Sequence, residues 1–254
     1  MLQETGTRET RPAARELKFL VPLATADHVM AWARARLSPD PHGSGQFGDE
    51  YHTTSLYFDT GALDVYHRRG SFGRSKYRIR RYDTATMAFL ERKLRTKDVL
   101  TKRRTLIQVD LLRRLAAPEG DRGSWSGQWF QQRLEARRLQ PTCQITYQRA
   151  ARVVTTFDGP GRLTVDRAVV ARRARAAAFL PEGGDGTAVL NGDAIVEIKF
   201  LGQPPAMFRE LVETFALEPF TISKYRLSIE ALARAGHSPA ARPAAAKASD
   251  VIDA

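Results

Sequence analysis

Polar and apolar positions alternate with a period of two along most of the chain, the pattern of strands that turn one face to a core. Residues 16–21, 53–59, 75–82, 88–94, 101–109, 143–153, 163–170 and 195–200 each carry it. About eight such strands, separated by turn-rich stretches, predict a large antiparallel sheet or barrel. Helical spacing is rarer. Residues 26–37 put Val29, Trp32, Ala33 and Leu37 on one stripe, and 207–217 put Phe208, Leu211, Val212 and Phe215 at i, i+3, i+4 and i+7. A third helix is expected over 223–235, stopped by Gly236 as a C′ residue. Residues 108–116 and 127–138 are weaker helix candidates, and 38–50, 118–127 and 181–193 read as loops. The polar stretch 1–14 and the Ala/Pro-rich stretch 236–254 are expected to be disordered tails around one domain over 15–235.

Composition narrows the class. The chain has 254 residues, 43% hydrophobic and 27% charged, enough to bury a core without disulfides or a structural metal. A single cysteine, Cys143, excludes an intrachain disulfide. The longest apolar runs, 29–33 and 176–180, are far too short to span a membrane. With no secretory signal either, the expected location is the cytoplasm. The five histidines are scattered without zinc-site spacing, and neither a G-x-x-x-x-G-K-[ST] loop nor a G-x-G-x-x-G turn is present.

The net charge of +12 is concentrated in one place. Residues 68–104 hold 14 basic residues against 3 acidic ones, whereas the rest of the chain holds 26 against 25. Alternation decides where these charges go. Glu16 and Lys18, Arg78 and Arg80, Glu91 and Lys93, Lys102 and Arg104, and Glu197 and Lys199 are i, i+2 pairs, each on one strand face. The opposite faces carry Leu17, Phe19, Tyr77, Ile79, Leu90, Leu94, Ile198 and Phe200. A charged face of this kind is either an open solvated surface or the lumen of a closed sheet. A dry lumen of like charge would be prohibitive. A wet lumen that binds a polyanion accommodates it.

Nine short words along the chain resemble the VTC-domain polyphosphate polymerases of the triphosphate tunnel metalloenzyme (CYTH-like) superfamily. They are Arg15–Phe19, Ser55–Thr60, Lys76–Arg80, Leu90–Lys93, Lys102–Arg104, Tyr147–Arg149, Arg162–Asp166, Val196–Lys199 and Ser223–Tyr225, and they occur in the family's order over 15–233. The resemblance implies an α+β fold, an antiparallel eight-stranded β-barrel (the triphosphate tunnel) with helices packed outside. It implies phosphate ligands at Lys18, Arg78, Arg80, Lys93, Lys102, Arg149, Arg162 and Lys224, with Tyr147 and Ser223 as supporting hydroxyls. Arg78, Arg80, Lys93 and Arg149 would carry catalysis. Glu197 would hold Mn²⁺ or Mg²⁺, with Glu16 as a second candidate ligand. Glu16, Glu91 and Glu197 each stand two positions before a lysine, and for Glu91 a plain ion pair is the expectation. Asp59 and Asp166 are expected in turn or capping roles. Arg92 and Arg103 are expected on the outer surface, and Cys143 as a small strand residue, not a nucleophile.

The leading functional expectation is a metal-dependent polyphosphate polymerase that moves the terminal phosphoryl group of ATP onto a growing chain. The alternatives are hydrolysis of tripolyphosphate or a nucleoside triphosphate, and non-catalytic polyphosphate binding. The hydrolytic branch opens with Glu-x-Glu-x-Lys, whereas Ala14 stands in the first of those positions here, which favours the polymerase. Relatives often carry a further lysine just before the Ser-Lys-aromatic word, where this chain has Phe220, Thr221 and Ile222. Nucleic acid is not an expected partner, because the basic residues alternate along strands without an aromatic stacking platform. Eukaryotic relatives add an SPX domain and a membrane region. Neither fits in this chain, so regulation or translocation would fall to a partner such as a membrane protein.

Overall fold

The computed structural model describes residues 7–12, 15–96, 99–117, 124–157 and 159–236. In chain order the elements are β1 (Thr7–Pro12), β2 (Arg15–Pro22), α1 (Leu23–Arg36), β3 (Ser38–Pro39), β4 (Glu50–Asp59), β5 (Ser75–Tyr82), β6 (Met87–Thr96) and β7 (Val99–Gln108). There follow α2 (Gln128–Ala136), β8 (Gln140–Thr156), β9 (Gly159–Arg173), β10 (Thr187–Ala188), β11 (Asp193–Phe200), α3 (Ala206–Thr214) and α4 (Lys224–Arg234). Short 3₁₀ turns precede β5 and follow β7.

All eight expected strands are present, within one antiparallel sheet that has eleven strands among the described residues, in the order β1-β7-β6-β5-β4-β8-β9-β11-β2 with β3 beside β8 and β10 beside β9. Within the stretch 1–14, expected to be a tail, residues 7–12 form β1, and 1–6 and 13–14 lie outside the described residues. The Thr-Arg-Glu-Thr-Arg sequence of β1 has no apolar face, yet Thr7–Pro12 pairs with 99–104 through main-chain hydrogen bonds, which are indifferent to side chain. The expected C-terminal tail lies, from residue 237 on, outside the described residues.

The sheet is curled. Lys93 on β6 reaches Glu16 on β2 at 3.5 Å, although five strands separate them along the hydrogen-bonded path. At ~4.8 Å per strand a flat sheet would hold them more than about 20 Å apart. The ladder itself has two ends, β1 and β2. These are consecutive in the chain, so the step from Pro12 to Arg15 holds the seam to about 11 Å at that point.

The two faces sort as the alternation predicts. The convex face carries two apolar clusters. Phe19, Leu163, Val165, Val196 and Ile198 pack under α1 and α3 through Val29, Met30, Ala33, Phe208 and Leu211. Leu56, Phe58, Tyr77, Ile79, Leu90 and Ile107 pack with Phe130 and Leu134 of α2. Each such side chain contributes about 1.5–3 kcal/mol on burial. Helix α4 differs from the other three, because it lies on the concave face. Tyr225 stacks on Tyr57 with ring centroids 5.3 Å apart, and Ile229 and Leu232 join the same cluster as Cys143, Ile145 and Ala171. Gly236 follows the helix at φ +74°, the left-handed C′ conformation expected of it.

A β-bulge interrupts β9. Ala168, at φ +48°, and Val169 together oppose Tyr147, so Arg162, Thr164 and Asp166 face the lumen before the bulge and Val169 and Ala171 after it.

Candidate polyanion-binding lumen

Strand register brings the charged side chains to one concave surface. Across the sheet, Lys102 pairs with Lys93 and Lys93 with Lys76; Arg104 pairs with Glu91, Glu91 with Arg78 and Arg78 with Tyr57. Arg80 pairs with Ser55, and Tyr51 with Arg149, which pairs with Asp166. Thr164 pairs with Glu197, and Glu197 with Lys18. Paired residues in an antiparallel ladder point the same way. The lumen therefore gathers Lys18, Arg78, Arg80, Lys93, Lys102, Tyr147, Arg149, Arg162 and Glu197 from seven strands, and α4 adds Lys224, with Ser223 just before it.

The guanidinium groups are held by hydroxyls and carboxylates. Arg78 donates from Nε to Glu91 at 2.6 Å and from a terminal nitrogen to the Tyr57 hydroxyl at 3.2 Å. Arg80 donates to Ser55 Oγ and to the Tyr147 hydroxyl, both at 3.1 Å. Arg149 binds Asp166 in a two-pronged pair at 2.6 and 2.7 Å, and Lys224 binds the same carboxylate. Arg162 reaches the Tyr51 hydroxyl and Asp40, both at 2.7 Å. Packing and second partners thus fix the position of each planar cation, the condition for precise recognition of phosphate.

Carboxylates in this surface are held ionised. Burial pushes Glu91 up, but Arg78, Arg80 and Lys102 outweigh it and leave the acid well below its ordinary range. Burial is likewise outweighed at Asp166, pushed down to about 2 by Arg149 and Lys224. Glu197, only 5% exposed, is lowered by Lys199, Lys18 and Lys224 against its burial. Glu16 is raised by burial and by Glu197, yet Lys199, Lys93 and Lys18 bring it below its usual value. Even so, cations outnumber these four carboxylates. Lys93 and Lys102 show the strain: burial, followed by neighbouring cations, pulls both below the usual lysine value despite Glu16 and Glu91.

Glu91 is the ion-pair centre expected of it, shared among Arg78, Lys102 and Arg104. Asp59 is buried and accepts the backbone N–H groups of Thr60, Val65 and Tyr66 and the Tyr225 hydroxyl, a turn-organising role. Asp166 overturns its expectation. It stands mid-strand in the lumen as the counter-charge of Arg149 and Lys224, and the Arg162-x-Thr164-x-Asp166 alternation was the available signal. Tyr57, Tyr51 and Ser55, which the sequence reading assigns no role, supply hydroxyls to the arginines. Arg103 stacks over Trp129 on the convex face. Cys143 is fully buried, and burial together with Asp59 pushes its thiol well up, so it offers no thiolate.

The donor set suits a hard divalent cation. Glu16 and Glu197 lie side by side and offer oxygen only. Among the described residues no group of three or more His, Cys, Asp or Glu side chains converges. Coordination would thus be completed by water and by phosphate oxygens of the ligand, a common arrangement for Mg²⁺.

The chain is thus a curled antiparallel sheet with α1, α2 and α3 on its convex side and α4 and a row of cations on its concave one. The chain belongs to the VTC domain family, whose model matches residues 13–233. A candidate adenylate cyclase from Bacillus halodurans has a similar structure, with a TM-score of 0.52 and 16% identity over 85% of this chain and 95% of that one. A protein from Pyrococcus horikoshii follows at 0.45 and 13%, covering 85% and 99%. A candidate adenylyl cyclase from Hippeastrum, with a dominant triphosphatase activity, stands at 0.45 and 16%, covering 88% and 96%. No curated protein sequence matches the chain. No helix among the described residues is long and apolar enough to cross a membrane.

Proposed function

We propose that the chain is a metal-dependent polyphosphate polymerase that transfers the terminal phosphoryl group of ATP to a growing phosphate chain within the lumen. The observation that carries this reading is the excess of cations held on one concave surface by strand register and hydrogen bonds. Phosphoryl transfer needs little from a protein beyond positioning and charge neutralisation. Arg78, Arg80, Lys93 and Arg149 would hold the transferring group and neutralise charge as it develops. Lys18, Lys102, Arg162 and Lys224 would bind the flanking phosphates, with Tyr147 and Ser223 as hydroxyl donors. Bound Mn²⁺ or Mg²⁺, held by Glu197 with Glu16 beside it, would neutralise further phosphate oxygens. The domain would span 7–235, because β1 pairs with β7 in the same sheet. Ala14 in place of a first glutamate favours a phosphate acceptor over water.

The test is incubation with ATP and Mn²⁺ or Mg²⁺, followed by separation of chain products from free phosphate. Polymers lengthening with time support the reading. Free phosphate alone makes the protein a triphosphatase, and neither product leaves a binding module.

A further inference from the structure

Lys76 has no carboxylate partner among the described residues, unlike the other lumen lysines. Lys18 and Lys93 meet Glu16, Lys102 meets Glu91, Lys199 meets Glu197, and Lys224 meets Asp166. Lys76 faces the lumen two residues before Arg78, and its ammonium donates to Ser223 Oγ at 3.0 Å. Ser223 occupies the N-cap position of α4, yet its hydroxyl makes no capping hydrogen bond. The pair thus links β5 to the start of α4 across the lumen, and an ammonium and a hydroxyl meet there with no carboxylate paired to them among the described residues. An uncompensated cation among cations is a place where the ligand must bring the charge.

We propose that Lys76 and Ser223 form a phosphate-binding station, and that the positive charge of Lys76 sets how tightly the lumen holds a phosphate chain. The inference rests on the polyphosphate reading of the lumen and names a residue which that reading leaves without a role. Geometry and titration agree. Lys76 opens to solvent, but burial on its other sides, with Lys18, Lys93 and Arg78, pushes its ammonium down to about 8, while Tyr57 works the other way. Tyr57, raised by burial but lowered by Arg78, Arg80 and Lys76, is itself brought down to about 8. Arginines stay charged throughout this range. As pH rises past 8, Lys76 loses its positive charge and Tyr57 gains a negative one. Both changes weaken anion binding.

Calorimetric titration with tripolyphosphate at pH 7 and pH 9, at fixed ionic strength, tests this. The lysine alone lowers wild-type affinity about tenfold between the two, as its charged fraction falls to roughly a tenth. Lys76→Arg, charged at both, loses most of that drop. Lys76→Met binds weakly already at pH 7, and Tyr57→Phe keeps the lysine's share. The ligand's own last ionisation acts alike on all four proteins. Equal pH dependence in wild type and Lys76→Arg, or equal pH 7 affinity in wild type and Lys76→Met, overturns the station while the lumen remains a polyanion site. No wild-type binding at either pH overturns the polyphosphate reading itself.

Discussion

Replacing Asp166 with asparagine is expected to cost about 3–5 kcal/mol of unfolding free energy, the range for breaking a buried ion pair from one side. Asp166 is completely buried and is the shared counter-charge of Arg149 and Lys224, whose side chains are 8% and 12% exposed. It ties β9 to β8 and both to α4. An asparagine keeps the shape but strands two cations. The sign with pH follows from the same pair. Asp166 is lowered in the folded state from 3.8 to about 2, so its stabilisation is fully present above pH 3.8 and is lost as pH falls towards 2. Urea unfolding at pH 7 should show the full deficit in Asp166→Asn, and the gap between the two proteins should narrow as the pH approaches 2. A phosphate chain can take the place of the missing carboxylate, so tripolyphosphate should recover part of the deficit by mass action. Wild-type stability in the variant would mean that Arg149 and Lys224 are solvated well enough without Asp166.

Replacing Glu197 with glutamine should abolish metal-dependent turnover while the protein still folds. The amide has nearly the same volume but lacks the charge that a hard cation requires. Loss of an outer-shell partner of a metal ligand already costs about 10–100-fold, so loss of the ligand itself should cost at least about a hundredfold. The fold tolerates the change better than it tolerates the loss of Asp166. The partners of Glu197, Lys18 and Lys199, have side chains 26% and 40% exposed, and water can take over part of the carboxylate's role. Turnover of ATP across a Mn²⁺ or Mg²⁺ titration distinguishes the roles. Glu197→Gln should stay inactive at saturating metal yet bind tripolyphosphate in the absence of metal at least as well as wild type. Full activity at limiting metal would reduce Glu197 to an ion-pair partner of Lys18 and Lys199.

The sheet was legible because charge and apolarity alternate so regularly. Arg78 and Arg80 against Tyr77 and Ile79 on β5, and Glu197 and Lys199 against Ile198 and Phe200 on β11, mark both the strand and its lumen face. Where alternation failed as a guide, the cause was physical. At Ala168 the bulge shifts the parity of β9, so reading every second residue beyond Asp166 points to the wrong face. Strand β1 was invisible because backbone pairing at a sheet edge needs no apolar pattern. Helix α4 reads like α1 and α3 in its periodicity, and periodicity does not say which side of a sheet a helix covers. Contacts distant in sequence, among them the Tyr57–Tyr225 stack and the Lys224–Asp166 pair, show it on the concave side. Lys76 shares the strand face of Arg78 and Arg80, whereas Asp166 was expected in a turn or cap. Their roles depend on which charges surround them, and that is set by strands distant in sequence.

The central claim is that the concave cations form one built site for a phosphate chain. The most direct measurement is the shift in melting temperature that tripolyphosphate produces in wild type, Arg78→Ala and Arg80→Ala. Arg78 is shared between Glu91 and Tyr57, and Arg80 between Ser55 and Tyr147, so both point into the lumen from its wall. At a ligand concentration a hundred times Kd, binding stabilises the fold by about 2.7 kcal/mol, a readily measured shift. The account predicts a clear rise for wild type, a smaller one for each variant, and none for chloride at matched ionic strength. Equal rises in all three proteins would contradict it, because the polyanion would then be bound by basic residues outside the lumen.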